Sequence, residues 1–174
     1  MAEKTILPFG EPILRKTAKP VAEFNAKLFK WLDDMADTLY AAEGRAGLAA
    51  PQIGILRRIV VMDCGDGLIE LINPEIIEAR GSQTGPEACL SFPGYTGLVE
   101  RAKYVKVRTF DRNGEPHILE AEDYKAVCMQ HEIDHLNGIL FIDRVIGDYL
   151  YHEQTQHKIS VLHALKLSHA QTPG

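Results

Sequence analysis

Gln130-His131-Glu132-Ile133-Asp134-His135-Leu136-Asn137-Gly138 is the stretch on which the rest of the chain is organised. It contains His-Glu-x-x-His. On an α-helix, residues four apart stand one above the other on one face. His131 and His135 can therefore aim imidazole nitrogens at one metal ion. Glu132 lies beside the first of them and can reach a water held at that ion without being a ligand itself. This is the layout of helical zinc hydrolases, with two ligands and a general base. The alternative is a helix that carries two of the chain's seven histidines by chance.

The flanking pattern favours the metal. Tyr124, Val127, Cys128, His131 and His135 follow helical spacing and form one stripe. The histidines thus continue an apolar face and are expected to be buried, where they need a partner. The spacing predicts a helix over 123–137, with Asp123 as N-cap and Gly138 as the stop. Asp134 falls on another face, suited to a salt bridge or to solvent.

The chain has 174 residues, 45% hydrophobic and 25% charged, with a net charge of −5. That composition suits one globular domain spanning 1–174. No basic run marks a nucleic-acid surface. No apolar stretch is long enough to span a bilayer, and Met1-Ala2-Glu3-Lys4 opens no signal peptide, so a cytoplasmic protein is expected. Three cysteines, Cys64, Cys89 and Cys128, are too few for a disulfide scaffold and read as thiols or ligands.

From the N-terminus, Pro8, Gly10, Pro12 and Pro20 predict an extended, partly packed arm. Asn25 caps a helix, with Phe24 and Phe29 as a hydrophobic staple. Leu28, Leu32, Met35 and Leu39 form its buried stripe, and Gly44 is its expected end. Gly47-Leu48-Ala49-Ala50-Pro51-Gln52-Ile53-Gly54 is either a tight turn or a cleft wall with Gln52 aimed at a developing charge. Strands are expected at 58–63 and 69–73 around an Asp66-Gly67 turn, and at 76–79. Pro86-Glu87-Ala88-Cys89-Leu90-Ser91-Phe92-Pro93-Gly94 reads as a loop. A catalytic site needs a third ligand and one open position, and Cys89 is one candidate among the chain's acids, cysteines and histidines. Residues 103–111 and 116–120 predict a hairpin with a type I′ turn at Asn113-Gly114. Residues 139–142 are a short buried strand or turn, and a last helix is expected from about 148. Within it His152 and His157 stand five apart, too far around a helix to share a metal.

Three stretches, Gly47-Leu48-Ala49-Ala50-Pro51-Gln52, Glu87-Ala88-Cys89-Leu90-Ser91 and Gln130-His131-Glu132-Ile133-Asp134-His135-Leu136, together resemble the signature motifs of bacterial peptide deformylases. The resemblance implies an α+β fold, with mainly antiparallel β-sheets surrounding a central metal-binding helix, an N-terminal helix and a C-terminal helix. It implies hydrolytic removal of the formyl group from the initiator methionine of new polypeptides, with release of formate. Its ligands would be Cys89, His131 and His135, around one divalent ion, Fe²⁺ as the usual native metal or Zn²⁺ in its place. Glu132 would be the base and proton donor. Gln52 and the Leu90 N–H would stabilise the oxyanion. Val127 and Cys128 would line the methionine pocket, while Tyr124 fits either pocket or core. The backbone of Ala46, Gly47 and Ala88 would pair with an extended N-formylmethionyl peptide. Glu87 and Arg101 would form an ion pair bracing the cysteine loop. Contact with ribosome-associated nascent chains follows from the family's task alone.

Two positions depart from the family pattern. Arg45 and Ala88 stand where glycine is usual, beside the expected cleft, while the ligands, the base and Gln52 are intact. The competing readings are a zinc peptidase with another third ligand, and a deformylase-like protein that binds peptide or metal without catalysis.

Overall fold

A computed structural model describes residues 2–169 of the chain. Its elements are α1 (Ala26–Tyr40), β1 (Gly47–Ala49), β2 (Ile59–Met62), β3 (Ile69–Arg80), β4 (Gln83–Cys89), β5 (Phe92–Arg101), β6 (Tyr104–Phe110) and β7 (Pro116–Glu122), then α2 (Asp123–Leu136), β8 (Tyr149–His152), β9 (Lys158–Ser160) and α3 (Val161–Leu167). Strands pair antiparallel in two sheets, ordered β1-β2-β3-β6-β7 and β4-β5-β8-β9. The expected α+β class and its three helices are what the chain adopts.

The alternation of β2 explains where the helices sit. Val60 and Met62 face Ala126, Cys128, Met129, Ile133 and Leu136 of α2. Ile59 and Val61 face Leu28, Leu32, Met35 and Leu39 of α1. Successive strand residues point to opposite faces, so one sheet holds a helix on each side. Each fully buried Val, Ile, Leu or Met side chain among them stabilises the fold by about 1.5–3 kcal/mol. A third cluster, containing Phe9, Leu14, Cys89, Val99, Phe141, Leu150 and Ala164, ties the second sheet and α3 to the arm.

Helix ends follow local chemistry, with some differences from expectation. Asn25 caps α1, its side chain accepting from the Leu28 N–H at 3.2 Å. The helix stops at Tyr40, short of Gly44, and Arg45 donates to the Thr38 carbonyl in its last turn. The N-cap of α2 is Glu122 rather than Asp123, without a side-chain bond, and Asp123 itself takes φ 54°. Gly138 ends α2 at φ 72°, and a Cβ there would lie 2.6 Å from the Arg15 carbonyl oxygen. The arm closes this end: the Ala18 N–H and the Arg58 guanidinium both donate to the Leu136 carbonyl, at 2.8 and 2.9 Å. Two cations near a helix C-terminus also suit its dipole, since Arg15 donates to the Gly138 carbonyl.

Several expected elements take other forms. Residues 69–80 are one strand, because Asn73 adopts φ 51° and the ladder resumes after a register shift between Ile72 and Glu75. The cysteine stretch is a hairpin rather than a loop: Cys89 pairs with Phe92 across Leu90 and Ser91. Pro86 is accommodated there because β4 is an edge strand. The 111–115 turn is not type I′. Only Gly114 has positive φ, and the Asp111 carboxylate accepts the Asn113 and Glu115 N–H groups. The helix expected from 148 is instead the β8–β9 hairpin followed by α3 at Val161. Pairing of Tyr95 with His152 and burial of Leu150 hold that hairpin against β5. Tyr124 is 61% exposed, so it is not core.

Candidate functional site

The middle of α2 lies between the five-stranded sheet and the β4–β5 hairpin. His131 is 8% exposed, His135 1% and Cys89 5%. Their ligating atoms all lie within 4.8 Å of one another. Helical spacing brings the two imidazoles together, with ring centroids 5.3 Å apart. The hairpin turn brings Cys89 Sγ to 3.4 Å from His135 Nε2.

The site's donors suit a metal ion. Among the described residues, the buried polar side-chain atoms without a hydrogen-bond partner are Arg15 Nε, Glu132 Oε1 and His135 Nδ1. Glu132 and His135 stand on α2 beside Cys89, and the His135 nitrogen turned toward Cys89 is the other one, Nε2. Burial, and then the His131 charge, hold His135 well below the usual histidine range, which favours the neutral, ligating form. Burial also opposes a charge on His131, but its bonds to Cys89 and Glu87 outweigh it and raise its proton affinity.

An ion-pair chain supports these residues. Arg101 donates to both Glu87 oxygens at 2.8 and 2.9 Å and to Asp134 at 2.6 Å. Arg144 donates to both oxygens of Asp134 at 2.6 and 3.1 Å. Burial tends to raise the Glu87 carboxyl, but Arg101 and His131 prevail and hold it at about 2. The expected Glu87–Arg101 pair is therefore present and buried. Asp134, assigned above to a salt bridge or to solvent, is a buried salt-bridge partner in the same chain. Arg144 carried no sequence signal, because its partner is fixed only by the fold.

Gln52 stands on the turn after β1. Its Oε1 accepts the Ala49 N–H at 3.0 Å, which orients the amide NH2 toward Ser91 Oγ at 3.1 Å and Cys89 Sγ at 3.7 Å. Ser91, which sequence reasoning quoted without a role, thus helps to position Gln52. Burial raises Glu132 to about 7, so this carboxyl can both take and give a proton near neutrality. Gly47 packs against it: a Cβ at Gly47 would lie 2.7 Å from Glu132 Oε2 and 3.0 Å from Cys128 Sγ.

A cleft of about 990 Å³ opens over these groups. Ala46, Gly47, Gln52, Glu87, Ala88, Cys89, Leu90, Val127, Cys128, His131 and Glu132 all line it, and exposed Tyr124 stands on its rim. His135 and Arg101 lie behind its wall. β1 and β4, which flank it, are edge strands of their sheets. The Ala46 carbonyl accepts the Asp63 N–H, so strand alternation turns the Gly47 backbone groups toward the cleft. The arm contributes Glu3, Lys4, Thr5 and Ile6 to the rim, and the β8–β9 turn contributes Glu153, none of them foreseen from sequence. Arg45 is at the mouth as well.

Comparison with known proteins agrees with this geometry. The family model described as polypeptide deformylase matches residues 3–149. The peptide deformylase of Heliobacterium modesticaldum is 55% identical over 148 residues, covering 85% of this chain and 97% of its own length. The peptide deformylase of Caldanaerobacter subterraneus is 54% identical over 146 residues, covering 84% and 91%. The crystal structure of peptide deformylase from Thermotoga maritima superposes with a TM-score of 0.82 at 45% identity, covering 84% of this chain and all of that one. That of a peptide deformylase from Synechococcus elongatus, in complex with actinonin, gives 0.78 at 42%, covering 82% and 78%. Among the described residues no helix is long and apolar enough to cross a membrane.

Proposed function

The chain belongs to the polypeptide deformylase family and is a metallohydrolase that removes the N-formyl group from nascent peptides, and from that premise we propose the roles of its residues. Cys89, His131 and His135 hold a single divalent ion; the buried convergence of their donors is the observation that carries this reading. The family's usual Fe²⁺ is the native choice, with Zn²⁺ as a substitute that the same thiolate and imidazoles accept. When bound, the ion supplies an acidified water and polarises the formyl carbonyl.

The remaining steps belong to the chain's own residues. Glu132 accepts the proton of the attacking water and delivers it to the leaving amine; its carboxyl near 7 suits both transfers. The Gln52 NH2 and the Leu90 N–H stabilise the charge developing on the formyl oxygen. One such donor is worth about 3 kcal/mol in related chemistry. Glu87, held by Arg101, keeps His131 in the tautomer whose other nitrogen faces the ion. Val127 and Cys128 receive the methionine side chain. The peptide lies extended between the edges of β1 and β4, pairing with the backbone of Gly47 and Ala88; the Ala46 carbonyl, expected to join them, is instead taken by the Asp63 N–H at the end of the neighbouring strand.

We take residues 1–174 as one catalytic domain, since α3 packs through Ala164 onto the cluster that holds Cys89. Its place is the cytoplasm, where formylated nascent chains arise, and it meets them as they leave the ribosome. The actinonin complex of the Synechococcus relative suggests the same compound as a cleft ligand here. The test is formate release from a formyl-methionyl peptide by protein loaded with Fe²⁺ under nitrogen. Absence of release from fully metallated protein would overturn the assignment of these roles.

A further inference from the structure

A second cavity, of about 420 Å³, shares no lining residue with the cleft. Arg101, Asp134 and Arg144 line it, with Arg80, Glu100 and Gln130 around them. Arg144 follows the short turn at Phe141–Asp143, and its side chain is 44% exposed. From it a chain of bonds runs inward to the metal cluster. Arg144 Nε and Nη2 donate to Asp134 Oδ2 and Oδ1, at 2.6 and 3.1 Å. Arg101 Nη1 donates to the same Asp134 Oδ2 at 2.6 Å, while its Nε and Nη2 hold the two oxygens of Glu87. Glu87 Oε1 in turn meets His131 Nδ1 at 2.9 Å.

We propose, on the ligand reading of Cys89, His131 and His135 given above, that Arg144 is a positioning residue of the metal centre, acting on His131 through Asp134, Arg101 and Glu87. Charge balance is the reason. The Glu87, Arg101 and Asp134 side chains are all buried, and two guanidinium groups offset two carboxylates. Without Arg144, both carboxylates share the single guanidinium of Arg101, at a depth where an unpaired charge is costly. Asp134 then draws Arg101 toward itself, and Glu87 loses part of the hold that fixes its angle to His131. A carboxylate free to turn no longer fixes the tautomer and ring plane of the imidazole it bonds.

Removing Arg144 has two opposed effects on a bound cation. The negative charge left behind attracts it, and the loosened imidazole holds it less well. Loss of a partner bonded directly to a ligating histidine costs about 10–100-fold in metal affinity. Arg144 acts three side chains further out, so a loss of about 3–10-fold is expected, with orientation outweighing charge. The exposure of Arg144 makes this testable. Truncating its side chain opens the cavity from solvent to Asp134, and a free guanidinium ion carries the same planar fork of donors.

The experiment measures Zn²⁺ affinity of wild type and Arg144→Ala by competition with a chromophoric chelator. Each is read alone, with guanidinium chloride far below the concentration that unfolds the protein, and with sodium chloride at equal ionic strength. Arg144→Ala should bind Zn²⁺ about 3–10-fold more weakly. Guanidinium should restore most of that loss, sodium chloride none, and wild type should respond to neither. KM of the metal-saturated variant for a formyl-Met peptide should stay at the wild-type value, since Arg101, Asp134 and Arg144 lie outside the cleft. Unchanged or tighter Zn²⁺ binding would overturn the proposal. So would a loss that sodium chloride repairs as well as guanidinium does, or a rise in KM that marks general loosening. Arg144→Lys keeps the charge without the fork and replaces the Ala variant if that one does not fold; wild-type affinity in it would overturn the proposal as well. Failure of wild type to bind one ion per chain, or to release formate once loaded, would instead strike the proposed function, and is read first.

Discussion

His131 Nδ1 stands 2.9 Å from Glu87 Oε1. An ionised carboxylate can only accept, so Nδ1 carries the hydrogen and Nε2 is the nitrogen left for Cys89 and His135 to share an ion with. Glu87→Gln should therefore weaken metal binding by about 10–100-fold. Competition with a chromophoric chelator measures this directly, and unchanged affinity would refute the link.

The same carboxylate makes stability depend on acid. Glu87 has a folded value of about 2 against 4.5 for the free side chain, so folding favours its ionised form. The stabilisation is fully present above about pH 4.5 and is lost as pH falls through about 2, roughly 3 kcal/mol in all. The difference in urea stability between wild type and Glu87→Gln should shrink between about pH 5 and about pH 2. A difference constant over that window would show that the charge is not what matters.

Cys89→Ala should abolish stoichiometric metal, because the two imidazoles alone leave an incomplete ligand set. Elemental analysis after gel filtration decides it. A variant with one ion per chain and full activity would remove Cys89 from the site.

Glu132→Gln keeps size and polarity but not the capacity to take a proton. It should retain metal and lose turnover by about a hundredfold or more. Normal turnover would move the base elsewhere. Gly47→Ala offers a complementary check, since its methyl would meet Glu132 Oε2 at 2.7 Å. It should also keep metal yet lower kcat/KM by about a hundredfold through misplacement of that carboxylate.

Ala88 and Arg45 do not need glycine's freedom. The described non-glycine residues with positive φ are Asn73, Asp123 and Gln156, and Gly44 takes φ 81° beside Arg45. Ala88→Gly in strand β4 should cost about 0.5–1 kcal/mol of stability. Both it and Arg45→Gly should retain activity, with preference shifting for residues after methionine, since both positions border the cleft. A kcat/KM series over short formyl-Met peptides measures the shift; rescue of an otherwise inactive wild type by glycine would contradict this account.

Much of this protein was set by short-range rules that a sequence displays. The His131–His135 spacing, the Asn25 cap, the Leu28–Leu32–Met35–Leu39 stripe and the Gly138 stop depend on neighbours within one or two helical turns. They hold in any context that permits a helix. The three motifs pointed to Cys89 and Gln52, which the fold brings to the same cleft as His131. Misreadings fell where pairing overrides local preference: the break at Asn73, the cysteine hairpin, and the β8–β9 hairpin, which forms because β5 offers it an edge.

The tertiary structure alone decided what meets across long separations. Cys89 reaches His135 over 46 positions, Arg101 reaches Asp134 over 33, and Gln52 reaches Ser91 over 39. No local propensity encodes such distances. They follow from strand register, where a one-residue slip would turn each side chain to the opposite face. The sequence therefore named the chemistry carried by α2 and the motifs. The packing of α2 between a sheet and a hairpin set buried Cys89 beside its two histidines, with the Arg101–Asp134–Arg144 support and the two strand edges that bound the cleft.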